Sequence, residues 1–160
     1  MKIIIVDEKD QEIGLKDRKN RDQKDIYRVA ALWITNNQGE ILLAQRAFNK
    51  KHHPGKWGPA VAGTIEAGET YESNIIKEAE EELGLKGIKF QPGPKTRTVG
   101  EYNHFTQWFK LKLDQPIEAF TVNPDEVAEI KWFTRQEIEE NLKNNPADFL
   151  SKMKDYIKYL

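Results

Sequence analysis

The chain has no cysteine, which excludes a disulfide framework, a thiolate zinc site and a cysteine nucleophile together. It also has almost no net charge. Twenty-five Lys and Arg against 26 Asp and Glu leave a formal charge of −1, so no overall field gathers a polyanion and a dedicated nucleic-acid partner is not expected. Long apolar runs are missing as well. The opening run Ile3–Val6 meets Asp7 and Glu8 at once, too short and too acidic in its flank for a signal peptide or a membrane span. No membrane partner is expected, and a cytoplasmic location is the default. There is no internal repeat and no low-complexity tract.

What is present fits an ordinary globular enzyme. At 160 residues with 38% hydrophobic residues, one core suffices, and a single domain over 1–160 is expected. Lys2 to Val6 reads as a strand, with Glu12 to Leu15 as its hairpin partner. Lys16 to Asp25 is charged and nearly free of apolar residues, so it reads as a loop or mobile connection that closes an N-terminal hairpin region over 1–26. Arg28 to Thr35 and Glu40 to Gln45 are stronger strands, joined by a turn at Asn36-Asn37-Gln38-Gly39. Pro54-Gly55 and Gly58-Pro59 punctuate a loop leading to Gly63. Ile88 to Phe90, Thr96 to Tyr102, Phe105 to Leu113 and Val127 to Phe133 alternate as strands do. From 134 to 160 the pattern is helical: Thr134 to Glu137 forms a capping box, and Pro146 separates two helices. The fold class is α/β (α+β), mixed strands with helices on both faces.

The stretch GTIEAGETYESNIIKEAEEELGL, Gly63 to Leu85, carries the chemistry. A helix is expected from the N-cap Thr70 to Gly84, where a left-handed C′ residue costs glycine least. Ile75, Ile76, Ala79 and Leu83 recur at helical spacing and are expected in the core. Glu78, Glu81 and Glu82 then share another side, and like charges three or four residues apart cost roughly 0.2–0.5 kcal/mol per pair. A divalent cation with a taste for hard oxygen ligands would offset that cost. Taken alone, a glutamate run is more often a solvated helix face.

The flanking residues alter that balance. Gly63, Glu69, Glu78, Glu81, Glu82, Gly84 and Leu85, with Ala79 as the small aliphatic, stand at the positions of the signature of the Nudix hydrolases, which this segment resembles. One position departs: Lys77 stands where the family usually has arginine, keeping the charge but losing the planar fork. The resemblance implies an α/β/α sandwich and a Mg²⁺-dependent pyrophosphohydrolase, MutT-like, with Mn²⁺ as an alternative ion. It implies Glu78, Glu81 and Glu82 as metal-binding and catalytic carboxylates beside Lys77, and Glu69 as the glutamate that steadies the loop, with Gly63 and Gly68 letting the chain turn. A further acidic ligand often precedes the last core strand; Glu126 is placed for it, with Asp125 and Glu129 as rivals and a solvated loop acid as the plain alternative.

The resemblance extends over roughly Val6 to Leu85 to the branch containing isopentenyl-diphosphate isomerase. That enzyme needs a cysteine where this chain has Ala62, and histidine ligands where it has Asn20, Tyr27 and Thr64. Those residues cannot replace a thiol or an imidazole, so isomerase activity is disfavoured.

For the substrate, Arg46, Lys50, Lys51 and Lys56 cluster before the signature. Arg46 and Lys56 are the candidate phosphate contacts, while Lys50 and Lys51 read better as a solvated basic loop. His52 and His53 read as surface, with a phosphate contact as the rival reading. Trp33 and Trp132 are expected to be packed, whereas Trp57 is a candidate pocket wall. Tyr102 and His104 fit either a hairpin bend or a substrate contact. The expected substrate is a small molecule containing a diphosphate, a nucleoside diphosphate derivative or nucleoside triphosphate. The rival reading is a nucleotide-binding module without turnover. An RNA cap-removing enzyme should carry a basic stripe that the balanced charge argues against. A homodimer is left open.

Overall fold

A computed structural model describes all 160 residues. Nine strands, β1 (Lys2–Val6), β2 (Glu12–Asp17), β3 (Ile26–Thr35), β4 (Ile41–Arg46), β5 (Trp57–Pro59), β6 (Val61–Thr64), β7 (Gln91–Thr98), β8 (His104–Lys112) and β9 (Val127–Phe133), form one mixed sheet. Helix α1 (Tyr71–Leu83) falls between β6 and β7, and α2 (Arg135–Asn144) and α3 (Met153–Tyr156) end the chain. Strand β3 is the centre: it pairs antiparallel with β1, β6 and β4 in succession and parallel with β8. Strand β4 continues the sheet to β5 and β9. No helix is long and apolar enough to cross a membrane.

Alternation along the strands builds two cores. Ala30, Leu32 and Ile34 of β3, Leu42 and Ala44 of β4 and Phe109 and Leu111 of β8 point to the face covered by Ile75, Ala79 and Leu83 of α1. Ala31, Trp33, Ile41, Leu43, Trp108 and Phe133 point the other way, under Ile138 of α2 and Phe149, Met153 and Ile157. Successive side chains of a strand face opposite ways, so a sheet apolar on both faces must be covered on both. The result is an α/β/α sandwich. Trp33 and Trp108, both fully buried, stack 5.0 Å apart with planes 8° from parallel across the β3–β8 pairing.

Helix α1 is bounded as its sequence dictates. Thr70 and Ser73 exchange side-chain-to-backbone hydrogen bonds at its start. Gly84, at φ 68°, ends it, with its N–H on the Glu80 carbonyl and that of Leu85 on Ala79. The expectation for Ile76 is corrected, since it is 45% exposed. It lies about 100° around the helix from Ile75, off the stripe that meets the sheet. Asn74, fully buried, faces the sheet instead and donates to the Thr64 carbonyl and the Glu69 carboxylate.

Four other expectations are revised. The run Lys16 to Asp25 is not a featureless loop: β2 extends to Asp17, a 3₁₀ turn covers Arg18–Asn20, and the Lys16 ammonium binds Asp22 and Asp25 at 2.7 Å each. Its charges order one another. The loop before Gly63 contains β5 and β6, whose short, Gly-bearing sequences carry little strand signal. Ile88 to Phe90 has no ladder partner; Ile88 and Phe90 pack on the core from coil, with the Phe90 ring edge-on to Phe109. The strand expected over Thr96 to Tyr102 is β7, displaced toward the N-terminus, and its Pro92 and Pro94 are tolerated because β7 pairs only with β8.

Candidate active site

The glutamate cluster is set by the end of α1 and by the loop before β9. The amides of Thr121 and Asn123 donate to the carbonyls of Leu83 and Glu82 at 3.1 and 2.9 Å, so the loop caps the helix. The next turn brings Glu126 round, its carbonyl receiving the Ala47 amide at 3.0 Å. Glu82, Glu126, Arg46 and Ala62 thereby line one small cavity of about 50 Å³. That is room for an ion with a few waters, since about 10–15 Å³ of such space holds one water.

Glu78 sits behind them, against β6. An added Cβ on Gly63 would come within 2.5 Å of its Cγ and 2.7 Å of its Oε1, so glycine is required for close approach of the carboxylate. The turn expected at Gly63 is therefore corrected: the residue lies within β6 opposite Ala30. The turn is at Gly68, with φ 87°. Glu69 accepts from the Glu66 amide at 2.9 Å and Asn74 at 2.8 Å, and the Lys77 ammonium lies 2.6 Å away. Burial alone would raise the Glu69 carboxyl, but Lys77, the Glu66 amide and Asn74 outweigh it and hold it below the usual range. Lys77 also reaches Glu66 at 3.1 Å and Glu78 at 3.6 Å. Burial works against its charge, yet these carboxylates raise its pKa. Without a guanidinium fork, lysine bridges the loop to the helix as a point charge.

The electrostatics of the inner carboxylates run the other way. Burial, then the charges of Glu78 and Glu126, push Glu82 well above the usual range against the pull of Arg46 and Lys50. Glu78 is raised by burial and by Glu81 and Glu69, despite Lys77. Arg46 is lowered by burial, with Glu82 and Glu126 opposing. Glu81 is exposed. No three His, Asp or Glu side chains converge into a ready-made cation cage. The donor set is nonetheless all oxygen and all of one sign, and within it burial disfavours Glu78 and Glu82 as anions without further positive charge. Mg²⁺ fits such a set, since it commonly takes one or two carboxylates and completes its shell with waters and substrate phosphates.

Of the remaining candidates, Lys50 forms an ion pair with Glu126, so the solvated reading is corrected for it, while Lys51 is exposed. Lys56 turns its ammonium onto the Ala147 carbonyl. Trp57 stands edge-on to Phe133 at 5.3 Å, packed on the second core. Neither lines the glutamate cavity. Asp125 and Glu129 are exposed and do not line it either. Trp33 and Trp132 pack against the cores as expected.

A larger cavity of about 360 Å³ opens beside this one, and Arg46 lines both. His52, His53, Tyr102 and His104, ambiguous in the sequence, are in its wall, as are Tyr27 and Thr64. Burial lowers His53, aided by Arg46, and lowers His104 to about 4, so the His104 imidazole is neutral at pH 7. Arg18, Arg21 and Lys152 line it too. Sequence reasoning passed over them because they fall in charged segments, and only long-range folding brings residues near 20, 50, 100 and 150 together.

The NUDIX domain model matches residues 25–153. An uncharacterized Nudix hydrolase of Yersinia pestis is 30% identical over 135 residues, covering 84% of this chain and 73% of that protein. Isopentenyl-diphosphate Delta-isomerase of Citrobacter koseri is 29% identical over 136 residues, covering 81% of this chain and 75% of the other. A crystal structure of a Deinococcus radiodurans protein shares the fold with a TM-score of 0.85 at 20% identity, covering 99% of each chain.

Proposed function

We propose that this chain, which belongs to the Nudix family and is a pyrophosphohydrolase, uses Mg²⁺ to cleave the diphosphate linkage of a nucleoside diphosphate derivative or nucleoside triphosphate. The observation that carries the reading is the position of Arg46, shared by a small carboxylate cavity and a larger cationic, aromatic one. The first has room for a hydrated ion and the second for a ligand. The diphosphate would lie across Arg46, with the attached group in the larger cavity.

Glu78 and Glu82, joined by Glu126 and by the exposed Glu81, are the residues that would hold the ion. When bound, Mg²⁺ supplies neutralisation of phosphoryl charge and polarisation of the scissile phosphorus. The chain's own groups do the rest. Arg46 binds phosphate oxygens and orients them. Lys77 and Asn74 fix Glu69 and so the loop against which Glu78 lies. Water attacks phosphorus, a glutamate of the cluster accepts its proton, and the bond to the departing phosphate breaks.

The isomerase reading is not favoured, since Ala62 faces the glutamate cavity where that chemistry needs a thiol. A module without turnover had only Lys77 in its favour, and Lys77 engages Glu66, Glu69 and Glu78. A panel of nucleoside triphosphates, nucleotide sugars, dinucleotides and isoprenyl diphosphates, incubated with Mg²⁺ and read for phosphate or pyrophosphate release, tests the proposal. Release from none of the nucleotide substrates would overturn it.

A further inference from the structure

The arginines of this chain divide into two groups. Arg28 pairs with Asp10, Arg97 with Glu8 and Arg135 with Glu139. Arg18, Arg21 and Arg46 have no carboxylate within ion-pair distance, and all three line the 360 Å³ cavity. Arg46 gives its Nε to the His52 carbonyl, and the Arg18 guanidinium has only the Met1 sulfur, at 3.8 Å. Arg21 is the most telling. Its guanidinium lies 4.6 Å from the Tyr27 ring centre and 5.9 Å from that of Tyr102, and its Nη1 is buried with no hydrogen-bond partner.

An unpaired buried donor on a charged group is costly, and folded proteins rarely leave one. The ring faces hold the plane of Arg21 but accept none of its hydrogen bonds. Lys152 adds a fourth permanent cation to the wall, against one carboxylate, Glu101. Of the three, only Arg46 also lines the glutamate cavity, which leaves Arg18 and Arg21 without a role in the reaction so far described.

We propose that Arg18 and Arg21 form a second anion subsite, which selects substrates whose group attached to the diphosphate carries a further phosphate monoester. This rests on the assignment of the glutamate cavity as the place of cleavage, and it names the class of substrate. A dianionic phosphate matches the surplus of positive charge, and its oxygens suit a planar guanidinium donor.

The test separates binding from cleavage. Calorimetry on the full chain with a chelator present compares adenosine 5′-monophosphate with adenosine 2′,5′- and 3′,5′-bisphosphate, none of which has an anhydride to cut. At least one bisphosphate is expected to bind about tenfold tighter, the effect of one hydrogen bond to a charged group. The preference should fall to near unity in Arg21→Gln, persist in part in Arg21→Lys, shrink in Arg18→Gln and persist in Glu82→Gln. Should wild type bind both bisphosphates no tighter than the monophosphate, or should the preference survive in both arginine-to-glutamine variants, the subsite is refuted. Hydrolysis by wild type would still stand in that event. Folding of each variant is checked by the near-ultraviolet signal of the buried tryptophans.

Discussion

Two charged clusters flank α1, and they are built on opposite rules. Around Asp10, one carboxylate is fully engaged: Arg28 meets it at 2.7 Å and its backbone carbonyl at 2.6 Å, Lys95 lies at 2.5 Å, and the Tyr71 hydroxyl donates at 3.0 Å. Burial would raise Asp10, but Lys95 and Arg28 more than compensate and hold it below the usual range. At the other end of the helix, Glu82 and Glu126 face a partly desolvated Arg46, and the inner carboxylates are raised. The first cluster is complete within the chain and ties the N-terminal hairpin to β3, α1 and β7. In the second, Glu126 has Lys50 while Glu82 has no ion pair within the chain, and the missing positive charge is proposed to come from a metal.

The sharpest way to break that contrast is Glu82→Gln. Turnover should fall roughly a thousandfold, the equivalent of several kcal/mol of transition-state stabilisation, in a steady-state assay with Mg²⁺. The same substitution should raise the melting temperature of the metal-free protein at neutral pH. A carboxyl whose folded pKa is raised adds stability below its unfolded pKa, and that stability is lost as pH climbs from the ordinary carboxylate range to the raised value. Metal-free wild type should therefore lose stability with rising pH through that window, and the glutamine variant should lose less. Equal thermal unfolding profiles across pH would show that Glu82 carries no such penalty.

Gly63→Ala should reduce kcat by roughly a hundredfold, because the new methyl displaces the Glu78 carboxylate and small misplacements at a reaction centre are costly. Circular dichroism should find the fold retained, and activity close to wild type would mean that Glu78 has room elsewhere. Asp10→Ala belongs to the other side of the comparison. It should cost about 2 kcal/mol in urea unfolding by leaving Arg28 and Lys95 unpaired, with much less effect on kcat. A variant as stable as wild type would remove Asp10 from the structural set. The smallest effect is expected for Lys77→Arg, with kcat/KM within about threefold of wild type, since the lysine already reaches Glu66, Glu69 and Glu78. A large gain would show that the missing fork limits the reaction.

How much of this was legible in the chain follows from the range of the interactions. Helix α1 was readable at both ends because Thr70 and Gly84 act within a few residues. Its inner face was less so, since Asn74 is buried by bonds to Thr64 and Glu69 that no periodicity contains, and it takes the sheet-facing place expected of Ile76. Strands β3, β4, β8 and β9 were readable from their apolar alternation, whereas β5 and β6 are short and Ile88 to Phe90 pack without pairing. The glutamates were visible from their spacing. Arg46 stood out as a candidate too, but Arg18 and Arg21 did not, because they sit among lysines and acids, and only the tertiary fold sets them beside Tyr102.

The stacked indoles of Trp33 and Trp108 have a use that their packing does not announce. They belong to strands far apart in the chain and meet only once the parallel β3–β8 pairing has formed. Parallel rings at that distance couple their electronic transitions, so the near-ultraviolet dichroism of this protein carries a built-in gauge of when the middle of the sheet closes. A stopped-flow trace at that wavelength would time this long-range pairing without any added label.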